Sequence, residues 1–173
     1  MQCLTNETPK KQILKLAILG AGGAGKSTLI TRLVTGNYIK ADMTVGLDIE
    51  SWVIDTGNDQ FVKVAMFDMG GQHQFRFFQE SLVIGAKIAL LIFDSTSFRS
   101  LMQIDEWLDM IESIPPERRL LVGTKIDTED AIDEEDVKEY ADSLGIDYIL
   151  VSSKTGENIE KLLDKIQIMI NEM

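Results

Sequence analysis

The residues with the clearest chemical potential are Gly20-Ala21-Gly22-Gly23-Ala24-Gly25-Lys26-Ser27, which fit the spacing G-x-x-x-x-G-K-[ST]. Glycines at that spacing let the backbone wrap closely around phosphate oxygens. Successive N–H groups from Gly22, Gly23, Ala24 and Gly25 through Lys26, Ser27 and Thr28 then form a concave anion site capped by a helix N-terminus. Lys26 would reach the outer phosphates, and Ser27 would offer its hydroxyl to magnesium. The rival reading is a Gly-rich turn before a helix. The apolar run at 13–19 and the helical pattern at 28–34 instead frame a strand, a loop and a helix, the context a nucleoside triphosphate site requires.

A second group, Asp68-Met69-Gly70-Gly71-Gln72, begins at the end of an apolar segment. There a carboxylate can hold magnesium through water, and the Gly71 N–H can approach a terminal phosphate. Gln72 is too weak to be a base, but its amide can accept a hydrogen bond from water and orient it for in-line attack. Two further groups point at the base: Thr124-Lys125-Ile126-Asp127 and Ser152-Ser153-Lys154. A carboxylate at Asp127 can accept from the N1–H and exocyclic amine of guanine, whereas adenine presents an acceptor at the equivalent ring nitrogen. Lys125 can lay its stem along the purine, and Ser153 or its backbone N–H can donate to the guanine oxygen.

These groups must be held by a scaffold, and the apolar patterning supplies one. Strands are expected at 13–19, 47–54, 61–67, 88–94, 119–123 and 147–151, and helices at 26–35, 98–114, 134–144 and 157–171, with a less regular one at 77–84. The alternation predicts an α/β fold with a six-stranded, mostly parallel sheet and helices on both faces. Thr56-Gly57-Asn58-Asp59 is too short for a crossover, so the second and third strands form an antiparallel edge hairpin. Ligands of such sheets bind outside the carboxyl ends of the strands, where all four groups fall.

Composition narrows the function classes. The length of 173 residues suits one domain, 1–173, with residues 1–12 as an N-terminal leader. A net charge of −11 argues against nucleic acid and against an anionic membrane surface. The lone cysteine, Cys3, excludes an internal disulfide and fits a reducing cytoplasm. The longest apolar run, 88–93, is too short to cross a bilayer, and Gln2 and the terminal Met173 leave no acceptor for a direct lipid anchor. His73, the single histidine, reads as a loop residue and not as a metal ligand. The acidic stretch Glu129, Asp130, Asp133, Glu134, Glu135 and Asp136 reads as a favourable helix start. Phe75, Phe77 and Phe78 divide evenly between core packing and partner recognition.

The four groups, in this order, resemble the Ras-like small GTPases over roughly 13–169. The resemblance implies a P-loop small G domain with bound Mg2+ and GTP or GDP. It implies that Thr44 is the first-switch threonine that coordinates magnesium, with Thr35 as its rival, that Gln72 lies in the second switch, and that Tyr38 stacks over the base. Similarity to Rab members implies that Ile49, Phe67 and Leu82 face effectors. Thr124 stands where N-K-x-D usually has asparagine, as in Rho-like members; Asp-x-Gly-Gly-Gln looks like Arf, and Thr-Val-Gly-Leu-Asp looks like Rab, so the subfamily stays unassigned.

The leading expectation is a GTP-binding switch, with Gln72, Lys26 and Gly71 as the catalytic groups. No arginine lies between Gly36 and Ile49 to act in cis, and Arg76 lies beyond Gln72, so hydrolysis should be slow and an activating protein should complement it. An exchange factor and effectors at the switch loops would complete the partner set. The competing expectations are an ATP-dependent kinase-like P-loop enzyme, which would have no use for Asp127, and a non-hydrolysing GTP-binding interaction module, which would have none for Gln72.

Overall fold

The structure, a computed structural model, describes residues 12–39, 47–57, 60–69, 81 and 83–173. Strands β1 (Gln12–Leu19), β2 (Leu47–Gly57), β3 (Gln60–Met69), β4 (Ile88–Asp94), β5 (Arg119–Thr124) and β6 (Asp147–Leu150) form one sheet in the order β2-β3-β1-β4-β5-β6. β2 and β3 pair antiparallel, and β1 pairs parallel with both β3 and β4, as do β4 with β5 and β5 with β6. After β1 the chain fills one side of the sheet and then the other. The end of β1 is therefore a topological switch point, where an open α/β sheet leaves a crevice for ligand.

Alternation along the strands sorts the core into two layers. Leu14, Leu16, Ile18, Ile88, Leu90, Ile92, Leu120 and Val122 pack on helix α1 (Lys26–Thr35) and the C-terminal helix α4 (Ile159–Asn171), through residues such as Leu29, Leu33, Leu162 and Ile166. Ala17, Leu19, Ala89, Leu91, Phe93 and Leu121 face the other way, onto Ile104, Trp107 and Ile111 and onto Val137 and Ala141 of α3 (Glu134–Leu144). β4 is apolar at 88–93 without a break because both of its faces are covered.

The first and third of these helices match the sequence expectation. Asp133 caps α3 by accepting from the Glu135 N–H, and Glu134, Glu135 and Asp136 fill the first turn, as the acidic stretch suggested. The segment at 98–114 differs. A short helix α2 (Phe98–Met102), capped by Ser97, gives way to a 3-10 helix at Gln103–Ile111. Ile104, Trp107 and Met110 recur every third residue and all pack on the sheet, the spacing that a 3-10 helix aligns on one face. α4 also begins later than expected, at Ile159, because Gly156 and Asn158 adopt left-handed conformations first. Of the expected helical stretch at 77–84, only residues 81, 83 and 84 are described. His73, Phe75, Phe77, Phe78 and Leu82 lie outside the described residues; Ile49 and Phe67 are direct partners in the β2–β3 ladder.

Gly123 sits in β5 between Phe93 on β4 and Leu150 on β6. A Cβ there would lie 2.6 Å from Leu150 Cδ2 and 2.7 Å from Phe93 Cζ. Gly123→Ala is expected to lower stability by about 1–3 kcal/mol through overpacking, read as a reduced urea midpoint at unchanged slope. An unshifted midpoint would mean that the two side chains yield without cost.

Candidate functional site

The loop leaving β1 is shaped by close approach to β4 and β5. A Cβ on Gly20 would collide with the backbone carbonyl of Ile92, and one on Gly25 would sit 3.3 Å from Thr124 Oγ1. Gly23 and Gly25 have φ of 79° and 93°, in the left-handed region that glycine enters without strain. Gly25 precedes α1 as its N-cap and offers no side chain, so the first turn is uncapped by its own sequence.

The loop carbonyls are partnered by protein donors. Lys26 Nζ, on a side chain only 5% exposed, donates to the carbonyls of Gly20 (2.8 Å) and Ala21 (2.9 Å). Lys125 Nζ donates to Gly23 O at 3.0 Å, and Thr124 Oγ1 donates to Ala24 O at 2.6 Å. In a trans peptide unit the C=O and the following N–H point to opposite sides. The N–H groups of Ala21, Gly22 and Gly25 are thus turned away from those donors, while Ala24 N–H closes a turn onto Ala21 O at 3.2 Å. Together with the N-terminus of α1 and the Lys26 cation, this concave backbone presents positive potential to an anion. Ser27 and Thr28, both half-buried, occupy the first turn of α1.

At the end of β5, Thr124 is 2% exposed and its own carbonyl accepts from both the N–H and the hydroxyl of Ser95. Lys125 adopts φ 63°, and its ammonium bridges Gly23 O and Asp94 Oδ2, the latter at 2.7 Å. Asp127 is exposed, with one carboxylate oxygen accepting from Ser152 Oγ at 2.8 Å, while that Oγ accepts from Thr155 N–H at 3.0 Å. Ser153 Oγ is buried and has no hydrogen-bond partner among the described residues, and Lys154 is exposed. A buried hydroxyl without a partner costs free energy, so it fits a pocket wall that a polar ligand completes.

The structure thus joins Gly20 to Gly25, Lys26, Thr124 and Lys125 by direct hydrogen bonds, and holds Asp127 through Ser152. Asp68 pairs with Ile18 in the β3–β1 ladder, which sets its backbone beside the strand end that feeds the loop. A hydroxyl at Ser27 and a carboxylate at Asp68 are hard oxygen donors of the kind magnesium takes. Tyr38 lies 41% exposed just beyond Gly36, the C-cap of α1. Thr44, Gly71 and Gln72 lie outside the described residues.

Two features escaped the sequence reading. Asp94, at the end of β4, accepts from Lys125 and also, through Oδ1, from Thr96 N–H (2.9 Å) and Thr96 Oγ1 (2.6 Å). Burial pushes its carboxyl up, but the hydrogen bonds from Lys125 and Thr96 outweigh that and hold it below the usual carboxylate range. Its stabilising charge is therefore complete above the ordinary carboxylate value and fades only as pH falls through the lowered one. The signal for Asp94 was a lone carboxylate ending a buried apolar strand. The second feature is a cavity of about 440 Å³ between the end of α1 and the start of α4, bordered by Arg32, Gly36, Gly156, Asn158 and Lys161. No motif points to it.

Thr124→Val removes the donor to Ala24 O and leaves that carbonyl buried and unpaired, which is expected to cost about 1–3 kcal/mol. Thr124→Ser keeps the hydroxyl and should cost less. Urea unfolding of the nucleotide-free protein checks this, and equal midpoints for valine and threonine would mean that water satisfies the carbonyl. Across residues 15–172 the sequence matches the Ras family.

Proposed function

The chain belongs to the Ras family of small GTP-binding proteins, and from that premise we propose that it is a molecular switch that hydrolyses GTP slowly to GDP and phosphate and presents a GTP-dependent surface to partner proteins. The observation that carries the reading is the pair of bonds from Lys125 to Gly23 O and from Thr124 to Ala24 O. They tie a base-reading loop to a phosphate loop, so that one nucleotide can span both.

In this reading the backbone of Gly22, Gly23, Ala24 and Gly25 and the first turn of α1 through Thr28 bind the phosphates. Lys26 reaches the outer phosphate oxygens, which as anions attract an ammonium more strongly than neutral carbonyls do. Asp127, oriented by Ser152, accepts from the guanine N1–H and amine; the Ser153 hydroxyl or N–H donates to the guanine oxygen. Lys154 completes that loop, the Lys125 stem lines the purine, and Tyr38 stacks over the base. Ser27 and Thr44 would hold magnesium directly and Asp68 through water; the ion would neutralise charge on the phosphates. Gly71 N–H meets the terminal phosphate, and Gln72 orients the attacking water. Loops bearing Thr44 and Gln72 relax once that phosphate leaves, and this links hydrolysis to partner binding. An activating protein, an exchange factor and effectors at these loops are the implied partners, in the cytoplasm and without nucleic acid.

Nucleotide released from the denatured purified protein should chromatograph as GDP or GTP; adenine nucleotide would refute the assignment of Asp127. Asp127→Asn replaces a double acceptor with an amide that opposes donors to donors. Guanine affinity should fall, by roughly 1–3 kcal/mol for each group left unpaired, while xanthine nucleotide gains. Equal GTP affinity in the variant, measured with a fluorescent nucleotide, would falsify the base-reading role.

Catalysis makes a separate expectation. Intrinsic turnover should be slow because the sequence has no arginine between Gly36 and Ile49 to stabilise the transferred phosphoryl group, and an arginine supplied in trans is worth on the order of a thousandfold to a hundred-thousandfold. Gln72→Leu should abolish the remaining turnover with GTP binding retained. Turnover near one per second in both proteins would sink the role of Gln72 and the need for an activating partner.

A further inference from the structure

We infer that Asp94 is a positioning residue for the nucleotide pocket: its carboxylate holds the Lys125 ammonium against the Gly23 carbonyl and so locks the base-reading loop onto the phosphate loop. The inference rests on the guanine-nucleotide reading above, in which Lys125 lines the purine.

An exposed Lys–Asp pair ordinarily contributes little, because two mobile side chains must be frozen to make it. Here one partner is already frozen. Asp94 Oδ1 accepts twice from Thr96, and the Asp94 N–H donates to Ser100 Oγ at 2.9 Å, so backbone and side chain are fixed independently of Lys125. The remaining oxygen, Oδ2, lies 2.7 Å from Lys125 Nζ, and the Asp94 side chain is 17% exposed against 43% for Lys125. The Asp94–Thr124 pairing in the β4–β5 ladder places the carboxylate one residue from the lysine it restrains. Lys125 itself stands at φ 63°, a conformation a non-glycine residue keeps only where its surroundings enforce it. A lysine fixed before ligand arrives loses little freedom on binding, which lowers the cost of ordering the pocket.

A double-mutant cycle on nucleotide release tests the role. Dissociation of a fluorescent GDP is measured for the unmutated protein, Asp94→Asn, Lys125→Met and the double variant. Asparagine preserves the shape and the Oδ1 acceptor for Thr96 but removes the charge. Asp94→Asn should speed release about three- to tenfold, a charge-assisted bond discounted for the exposure of Lys125. The double variant should release GDP at the rate of Lys125→Met, since Asp94 then has nothing to position. Multiplying effects, or an unchanged rate in Asp94→Asn, would overturn the inference.

A second measurement does not depend on the variants folding. In the unmutated GDP-bound protein the Lys125 side-chain ammonium should exchange with solvent much more slowly than that of exposed Lys154, by NMR of 15N-labelled lysine; equal exchange would also overturn it. A protein that binds no guanine nucleotide defeats the earlier reading and this one with it. Retained GDP with an unaltered release rate in Asp94→Asn defeats only the positioning role.

Discussion

The carbonyl oxygens of the phosphate loop have to be satisfied from behind, and the rest of the site depends on how this is done. Buried backbone acceptors need donors, and at this switch point the donors come from two places, Lys26 on the helix the loop feeds and Thr124 with Lys125 at the end of β5. β4 lies between β1 and β5, so these residues reach the loop across a strand, and Thr124 Oγ1 passes within 3.2 Å of Phe93 O on the way. Such reach works only at one register. The ladder pairs Leu19 with Leu91 and Asp94 with Thr124, and the two-layer core fixes that pairing, because a slip of one residue would turn every buried side chain of β4 to the wrong layer. The core thus positions the site indirectly, through strand ends that are level with one another.

Charge is arranged along the same edge. The chain carries a net charge of −11, yet its loop side gathers Lys26, Lys125 and the positive end of α1, while the carboxylate of Asp127 stands at the far end of the proposed pocket. A ligand with an anionic tail and a hydrogen-bond-donating head would find both ends complementary. Asp94 Oδ2 pairs with the Lys125 ammonium, so this lysine is not a free surface cation.

Much of this was legible in the sequence, and the reasons differ by element. Helix α1 was readable to the residue because glycines bound it at both ends, Gly25 before Lys26 and Gly36 after Thr35. The parallel strands were readable because burial on both faces demands unbroken apolar runs. The 3-10 helix was not distinguishable from α, since Ile104, Trp107 and Ile111 follow the three-then-four spacing of an α-helix and only Met110 marks the three-residue period. The motif residues announced themselves through spacing that few other chemistries require. Asp94 did not, because its partner stands 31 positions away and only the ladder brings the two together. The approach of Arg32 on α1 to Gly156 in the turn before α4, where an added Cβ would collide with the guanidinium, was hidden for the same reason.

The left-handed backbone of Lys125 has an evolutionary reading. Glycine would adopt φ 63° without strain, whereas an L-residue with a β-carbon gives up roughly 1–2 kcal/mol there. A search for thermostable variants that scores folding alone would therefore tend to replace this lysine, and would erase the cation that spans the two loops. Position 125 is thus where selection for stability and selection for the proposed nucleotide site would pull in opposite directions.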